Sequence, residues 1–165
     1  MGACGKLWRE WQATDVPVGE TGPQRMLFLG KHDYAMDERG RVPMPPRFRD
    51  ALMHGIILTQ GTPDHCIRAY PTSNFEEQAS LYMNEPVTTR NGRVMRRAFF
   101  SGAYQAELDK QGRVLIPPVL RGYANLENQV VVVGTGEGIE IWNAADFESA
   151  LTAEENAYLQ SLDSE

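Results

Sequence analysis

The residues best placed to do chemistry are two arginines, each set behind a tight turn. The turns read Asp37-Glu38-Arg39-Gly40-Arg41 and Asp109-Lys110-Gln111-Gly112-Arg113. An Asp opens each one. Its carboxylate can accept from backbone N–H groups two or three residues on, so Asp37 and Asp109 read as turn-forming, not catalytic. Gly40 and Gly112 supply the positive φ that closes a type I turn into a bulged hairpin. Arg41 and Arg113 then stand at hairpin tips. A guanidinium there has two uses. It can grip a phosphate or a guanine edge through paired N–H donors, or it can fold back on its own Asp and lock the turn. The flanking charges differ: Arg39 can add a phosphate contact at the first tip only, and Lys110 at the second only.

Nothing else in the chain has the spacing of a catalytic or metal-binding set. His32, His54 and His65 share no ligand spacing. Asp64-His65-Cys66 is too short and isolated for a triad or a zinc motif, and Cys4 and Cys66 are far apart. Gly134-x-Gly136-x-Gly138 follows one strand and leads at once into another, so it reads as a hairpin turn and not a dinucleotide loop. The expectation is a protein that is not an enzyme, with no catalytic residue, no metal, no cofactor and no small-molecule substrate.

The two turns belong to a longer repetition. Phe28/Phe100, Gly30/Gly102, Arg49/Arg121, Ile67/Ile139, Phe75/Phe147 and Glu76/Glu148 keep the same 72-residue spacing, and 9 of 22 positions are identical between 28–49 and 100–121. Such self-similarity marks two copies of one module. Each copy has a core pattern of roughly 45 residues, which is marginal alone, so the copies should pack together.

The elements that must position the arginines follow from local signals. Extended chain is expected over Phe28–Met36, a return strand over Arg41–Met44 and a short helix over Arg47–Met53, with Pro45-Pro46 at its start and Gly55 after its end. Pro43 has no ladder donor and places the return strand at an edge. Strands follow at 55–60 and 66–70. Ser73 with Glu76 predicts a capped helix over about 74–84. The second copy repeats the plan: strands at Ala103–Leu108 and Arg113–Ile116, a short helix Pro117–Ala124, then strands Val130–Val133 and Ile139–Trp142. Asn143 should cap a helix to about Leu151, and Thr152 with Glu155 a final one over Ala153–Leu162. Between the copies, Thr88 should cap a helix to Phe100 whose polar face carries Arg90, Arg93, Arg96 and Arg97, read as a solvated face. The expected organisation is an N-terminal extension at 1–27, poorly patterned and mobile, a first module at 31–73, a helical connector at 74–102, a second module at 103–146 and an acidic helical tail at 147–165. No signal peptide or spanning run is apparent.

An Asp-x-x-Gly-Arg-Val hairpin running into Pro-Pro, with an Arg three residues beyond, resembles the AbrB-type swapped-hairpin module. Its duplication, with Phe-Leu-Gly and Phe-Phe-Ser-Gly before the copies and Val133–Trp142 after the second, is similar to the MraZ family of bacterial regulators. The resemblance covers about 28–150. It implies a mainly β fold with peripheral helices, in which two internal repeats interlace as a swapped-hairpin barrel with a pseudo-two-fold axis. It implies a ring homo-oligomer that binds short direct repeats in double-stranded promoter DNA and represses its own division and cell-wall gene cluster. It also implies DNA contact by Arg41 and Arg113, with Arg49 and Arg121 adding to the basic face. Tyr34 and Ala106 stand where single-copy relatives carry a basic residue.

Net charge is −6, yet the acidity lies at one end. After Arg121 there are nine acidic residues and no Lys or Arg, leaving 16 basic against 13 acidic before it. A local basic face outweighs total charge in choosing an anionic partner. With that objection removed, the resemblance implies a cytoplasmic, nucleoid-associated transcription regulator, with a structural or protein-interaction ring as the alternative and a small β-barrel enzyme further behind.

Overall fold

The computed structural model describes residues 26–162; the expectations for residues 1–25, including the extension and Cys4, fall outside them. The first copy runs β1 (Lys31–Ala35), β2 (Arg41–Pro43), α1 (Pro46–Leu52), β3 (Ile56–Gly61) and β4 (Cys66–Pro71). Two helices join it to the second: α2 (Thr72–Met83) and α3 (Arg90–Ser101). The second copy runs β5 (Tyr104–Ala106), β6 (Arg113–Leu115), α4 (Pro118–Tyr123), β7 (Gln129–Gly134) and β8 (Ile139–Asn143), followed by α5 (Ala144–Leu162).

The copies are interlaced. A six-stranded antiparallel sheet has the order β1-β7-β8-β4-β3-β5, and β2 pairs with β6 in a separate ribbon. Thus the first strand of each copy lies on the third strand of the other. Neither β1 and β2 nor β5 and β6 zip into a ladder of their own; the turn between them closes through single bonds such as Asp37 N–H to Arg41 O at 3.0 Å. The isolated bridge Leu108↔Val114 links the ribbon back to the end of β5. Val42 and Val114, 0% and 1% exposed, close the ribbon over a core that includes Phe48, Leu58, Ile67, Leu120, Val132 and Ile141.

The register identifies the pseudo-two-fold axis. Val42 faces Val114 and Arg68 faces Glu140, and both pairs join residues 72 apart. The third strands obey the same symmetry with a different count. Ile56↔Ala106 and Tyr34↔Val130 are one pair seen twice only if Val130, 74 residues on, is the partner of Ile56. The second copy therefore has two more residues before β7 and two fewer between β7 and β8. A shift of two leaves every side chain on its own face of the sheet.

Local signals were met with some changes. The Pro-led short helices form, with Pro45 and Pro117 at their N-caps, and Gly55 ends α1 at φ +118°. Asn143 caps α5, its Oδ1 accepting from the N–H of Ala145 and Asp146. The Ser73–Glu76 box does not form. β4 runs straight into α2 with Pro71 at the cap, and the Ser73 hydroxyl turns to Asn74 Oδ1 at 3.4 Å. Thr89, not Thr88, caps α3, accepting from Gly92 N–H at 3.0 Å. There is no break at Thr152 in α5, because its hydroxyl donates back to the Glu148 carbonyl at 2.9 Å and needs no cap geometry. The start of α5 is held by Phe147 edge-on to Trp142 and by Lys31 on Glu148 at 2.8 Å; beyond Ala150 every described residue is exposed. Among the described residues no helix is long and apolar enough to cross a membrane.

Candidate nucleic-acid interface

Both turns form as duplicates. Asp37 Oδ1 accepts from the backbone N–H of Arg39 and Arg41, each at 2.9 Å, and Asp109 Oδ1 accepts from Gln111 and Arg113 at the same distances. Gly40 and Gly112 sit at φ +82° and +74°, and their N–H groups donate to the carbonyls of Asp37 and Asp109. The backbone then crosses between copies: Met44 N–H donates to Gly112 O and Ile116 N–H to Gly40 O, both at 2.9 Å.

The tip arginines fold onto their own aspartates. Arg41 Nε donates to Asp37 Oδ2 at 2.6 Å, and Arg113 Nε to Asp109 Oδ2 at 2.9 Å. Arg113 Nη1 also reaches Asp37 Oδ2 at 3.5 Å, which places the two turns side by side. The backbone N–H of Arg41, with its guanidinium and the N–H of Arg39, holds the Asp37 carboxyl below the usual carboxylate range, against partial desolvation. Asp109 is held low by the Arg113 N–H first, then by the Gln111 N–H and the Arg113 guanidinium. Both guanidiniums remain about a quarter exposed.

Arg49 and Arg121 cross over. A methyl group on Gly112 would overlap the Arg49 guanidinium, and one on Gly40 would meet that of Arg121 at 2.7 Å. Each short helix therefore lays its arginine on the turn of the other copy. With Arg39 and Lys110 on the tips, the structure brings all six cationic candidates to one pole, around the turn glycines. Sequence reasoning missed this crossing, and it missed Gln105 and Glu107, which line a cavity with Arg39 and Arg121. The 72-residue repeat was the available signal: it implies that an element of one copy serves the other.

The connector arginines are placed otherwise. Arg93 Nη1 donates to the carbonyls of Val87 and Thr88, and Arg96 Nη2 to those of Met83 and Glu85. They clamp the loop between α2 and α3 instead of forming a purely solvated face. The histidines lie apart: His32 against Phe48 at 5.5 Å, and His65 against Tyr123 at 5.1 Å. Cys66 is buried, and burial pushes its thiol up to about 12. Among the described residues no three His, Cys, Asp or Glu side chains gather as a metal set.

A profile of the MraZ protein family matches residues 27–98 and again 99–162, one match per copy. The chain belongs to the MraZ family. Among its relatives, the Transcriptional regulator MraZ of Kineococcus radiotolerans is 39% identical over 132 residues, covering 80% of this chain and 92% of that protein. That of Clavibacter michiganensis subsp. michiganensis is 38% identical over 137 residues, covering 83% and 95%. That of Cutibacterium acnes is 40% identical over 132 residues, covering 80% and 92%. The family model and these relatives agree with the resemblance carried by the Asp-x-x-Gly-Arg turns.

Proposed function

We propose that this chain is a DNA-binding transcription regulator, cytoplasmic and nucleoid-associated. It assembles as a ring homo-oligomer on short direct repeats in promoter DNA and represses its own division and cell-wall gene cluster. The observation that carries the reading is the convergence of Arg39, Arg41, Arg49, Lys110, Arg113 and Arg121 on one pole. The names of the relatives support regulation, and the family resemblance supports the ring and the direct repeats. In this reading each aspartate acts as a positioner. It holds Nε of Arg41 or Arg113, and Asp37 also takes Nη1 of Arg113, so that the Nη groups of Arg41 and Nη2 of Arg113 are left to meet a phosphate or a guanine O6/N7 edge. A ring places several such poles on spaced repeats at high effective concentration, offsetting the few cations of one protomer.

The rival reading takes the Asp–Arg pairs at face value, as locks that hold the turns in a structural ring without DNA specificity. One paired measurement separates the two. Binding of the chain's own upstream DNA, against shuffled DNA at matched salt, is compared with thermal unfolding for the parent and the Arg41→Ala, Arg113→Ala double variant. The proposal expects near-complete loss of specific binding with the melting curve little moved. Parental binding by the double variant would refute it, and early unfolding as the primary defect would favour the locks.

A further inference from the structure

We infer that the two halves of the turn pole are not equivalent: the cleft between Arg39 and Arg121 anchors one backbone phosphate of the duplex, its counterpart in the other half does not, and one protomer therefore sits on DNA in a single orientation. This rests on the DNA-binding reading above and adds a direction to it.

The fold makes the two halves symmetric in backbone but not in side chains. Arg49 and Arg121 are counterparts, each lying on the turn glycine of the other copy. Arg49 Nε donates to the Met44 carbonyl at 3.1 Å. Arg121 Nε has no such bond; it is buried without a hydrogen-bond partner. A buried cationic N–H left open is a costly state, and an anion relieves it. Beside it lies a cavity of about 540 Å³, lined by Arg39, Gln105, Glu107, Leu115, Pro117 and Arg121 among others. Two guanidiniums face one carboxylate there. At the matching positions of the other half, 72 residues away, stand Gln111 for Arg39, Asp33 for Gln105 and Ala35 for Glu107. That half therefore has no second guanidinium where Arg39 stands, and the Nε of its Arg49 is already bonded. Lys110 compensates only at the outer tip, where Glu38 stands in the first copy, as a mobile point charge and not a cleft. A pseudo-two-fold pole with unlike halves cannot bind equally well when turned by half a rotation about its axis, so it favours a directional element.

The shared chemistry is a phosphate oxyanion, available from DNA or from free phosphate. The test follows the arginine Nε–H resonances of the ¹⁵N-labelled full chain, assigned by Arg49→Lys and Arg121→Lys. Upstream duplex should move the Arg121 resonance and leave that of Arg49 in place. Inorganic phosphate should move it only at millimolar concentration and should be displaced by duplex. Saturation by micromolar phosphate that duplex fails to displace would make the cleft a small-anion site and overturn the proposal. Arg39→Gln, which installs the residue of the other copy on an exposed turn, should lower the slope of log affinity against log salt by about one. A cleavage reagent tethered at Glu38→Cys or Lys110→Cys, in a Cys4→Ser background, should cut opposite ends of each repeat, one end per site. Cutting at both ends from either site, or an unchanged slope with an unmoved Arg121 resonance, would overturn the inference and leave DNA binding standing. A parent chain that binds no duplex would sink both.

Discussion

The interlacing is most directly tested at the turn glycines. Consider Gly40→Ala and Gly112→Ala. Both positions have positive φ, so a Cβ costs about 1–2 kcal/mol from the backbone alone. The added methyl also meets an arginine from the other copy, and here the two sites differ. At Gly112 it displaces Arg49, whose Nε bond to the Met44 carbonyl would be lost, and a hydrogen bond to a charged group contributes about 1.5–3 kcal/mol. At Gly40 it displaces Arg121, whose Nε has no bond to lose. Gly112→Ala should therefore cost about 2.5–5 kcal/mol and Gly40→Ala about 1–2 kcal/mol. For a chain of this size, 1 kcal/mol corresponds to about 2–4 °C in Tm, so calorimetry resolves the two. The decisive arm is a double-mutant cycle in urea. Arg49→Ala should remove most of the extra cost of Gly112→Ala and leave that of Gly40→Ala unchanged. Equal costs at both glycines, or no coupling between Arg49 and Gly112, would refute the crossed arrangement.

The remaining predictions concern titration and burial. The Asp37 and Asp109 carboxyls are held below their ordinary pKa, so the stability they confer is complete above about pH 4, the unfolded carboxylate value, and is lost as pH falls through their lowered folded values. Urea midpoints between pH 5 and 2 should drop, and Asp37→Asn with Asp109→Asn should flatten that acid limb; an unchanged limb would count against the turn bonds. In a Cys4→Ser background, Cys66 should resist a thiol reagent in the native state and react on unfolding, since the thiol is buried and its pKa is pushed up to about 12. Rapid labelling of the native protein would contradict the packing around β3 and β4.

The repeat and both turns were legible because their chemistry is local. In each, the Asp accepts from N–H groups two and four residues on and the Gly takes the positive φ between them, all within five residues. The pairing partners were less legible. Ile56-Ile57-Leu58 and Val130-Val131-Val132 are continuous apolar runs buried on both faces, so no alternation marks their register, and the change from 72 to 74 appears only once β1 and β5 lie against them. Two adjacent threonines at 88 and 89 made the α3 cap ambiguous, and Pro71 at the end of β4 overrode the Ser73 box. At the site, the bonds of Arg41 and Arg113 to aspartates four residues back could be named as an alternative. The seats of Arg49 on Gly112 and Arg121 on Gly40 could not, because nothing near a residue in the chain signals a partner in the opposite copy.

The exchange of strands also sets an order of events during synthesis. β1 leaves the ribosome early, yet its partner β7 begins at Gln129, about a hundred residues later. At roughly 5–20 residues per second, that is a wait of about 5–20 s. The β3–β4 hairpin can close meanwhile, since its partners are neighbours in the chain. β1, β2 and both outer edges of the β3–β4 hairpin stay unsatisfied until the second half emerges. A nascent chain halted after the first module is thus half of an interlock with nothing to lock into. Quality control would meet an exposed apolar hairpin at that point and not a small folded domain.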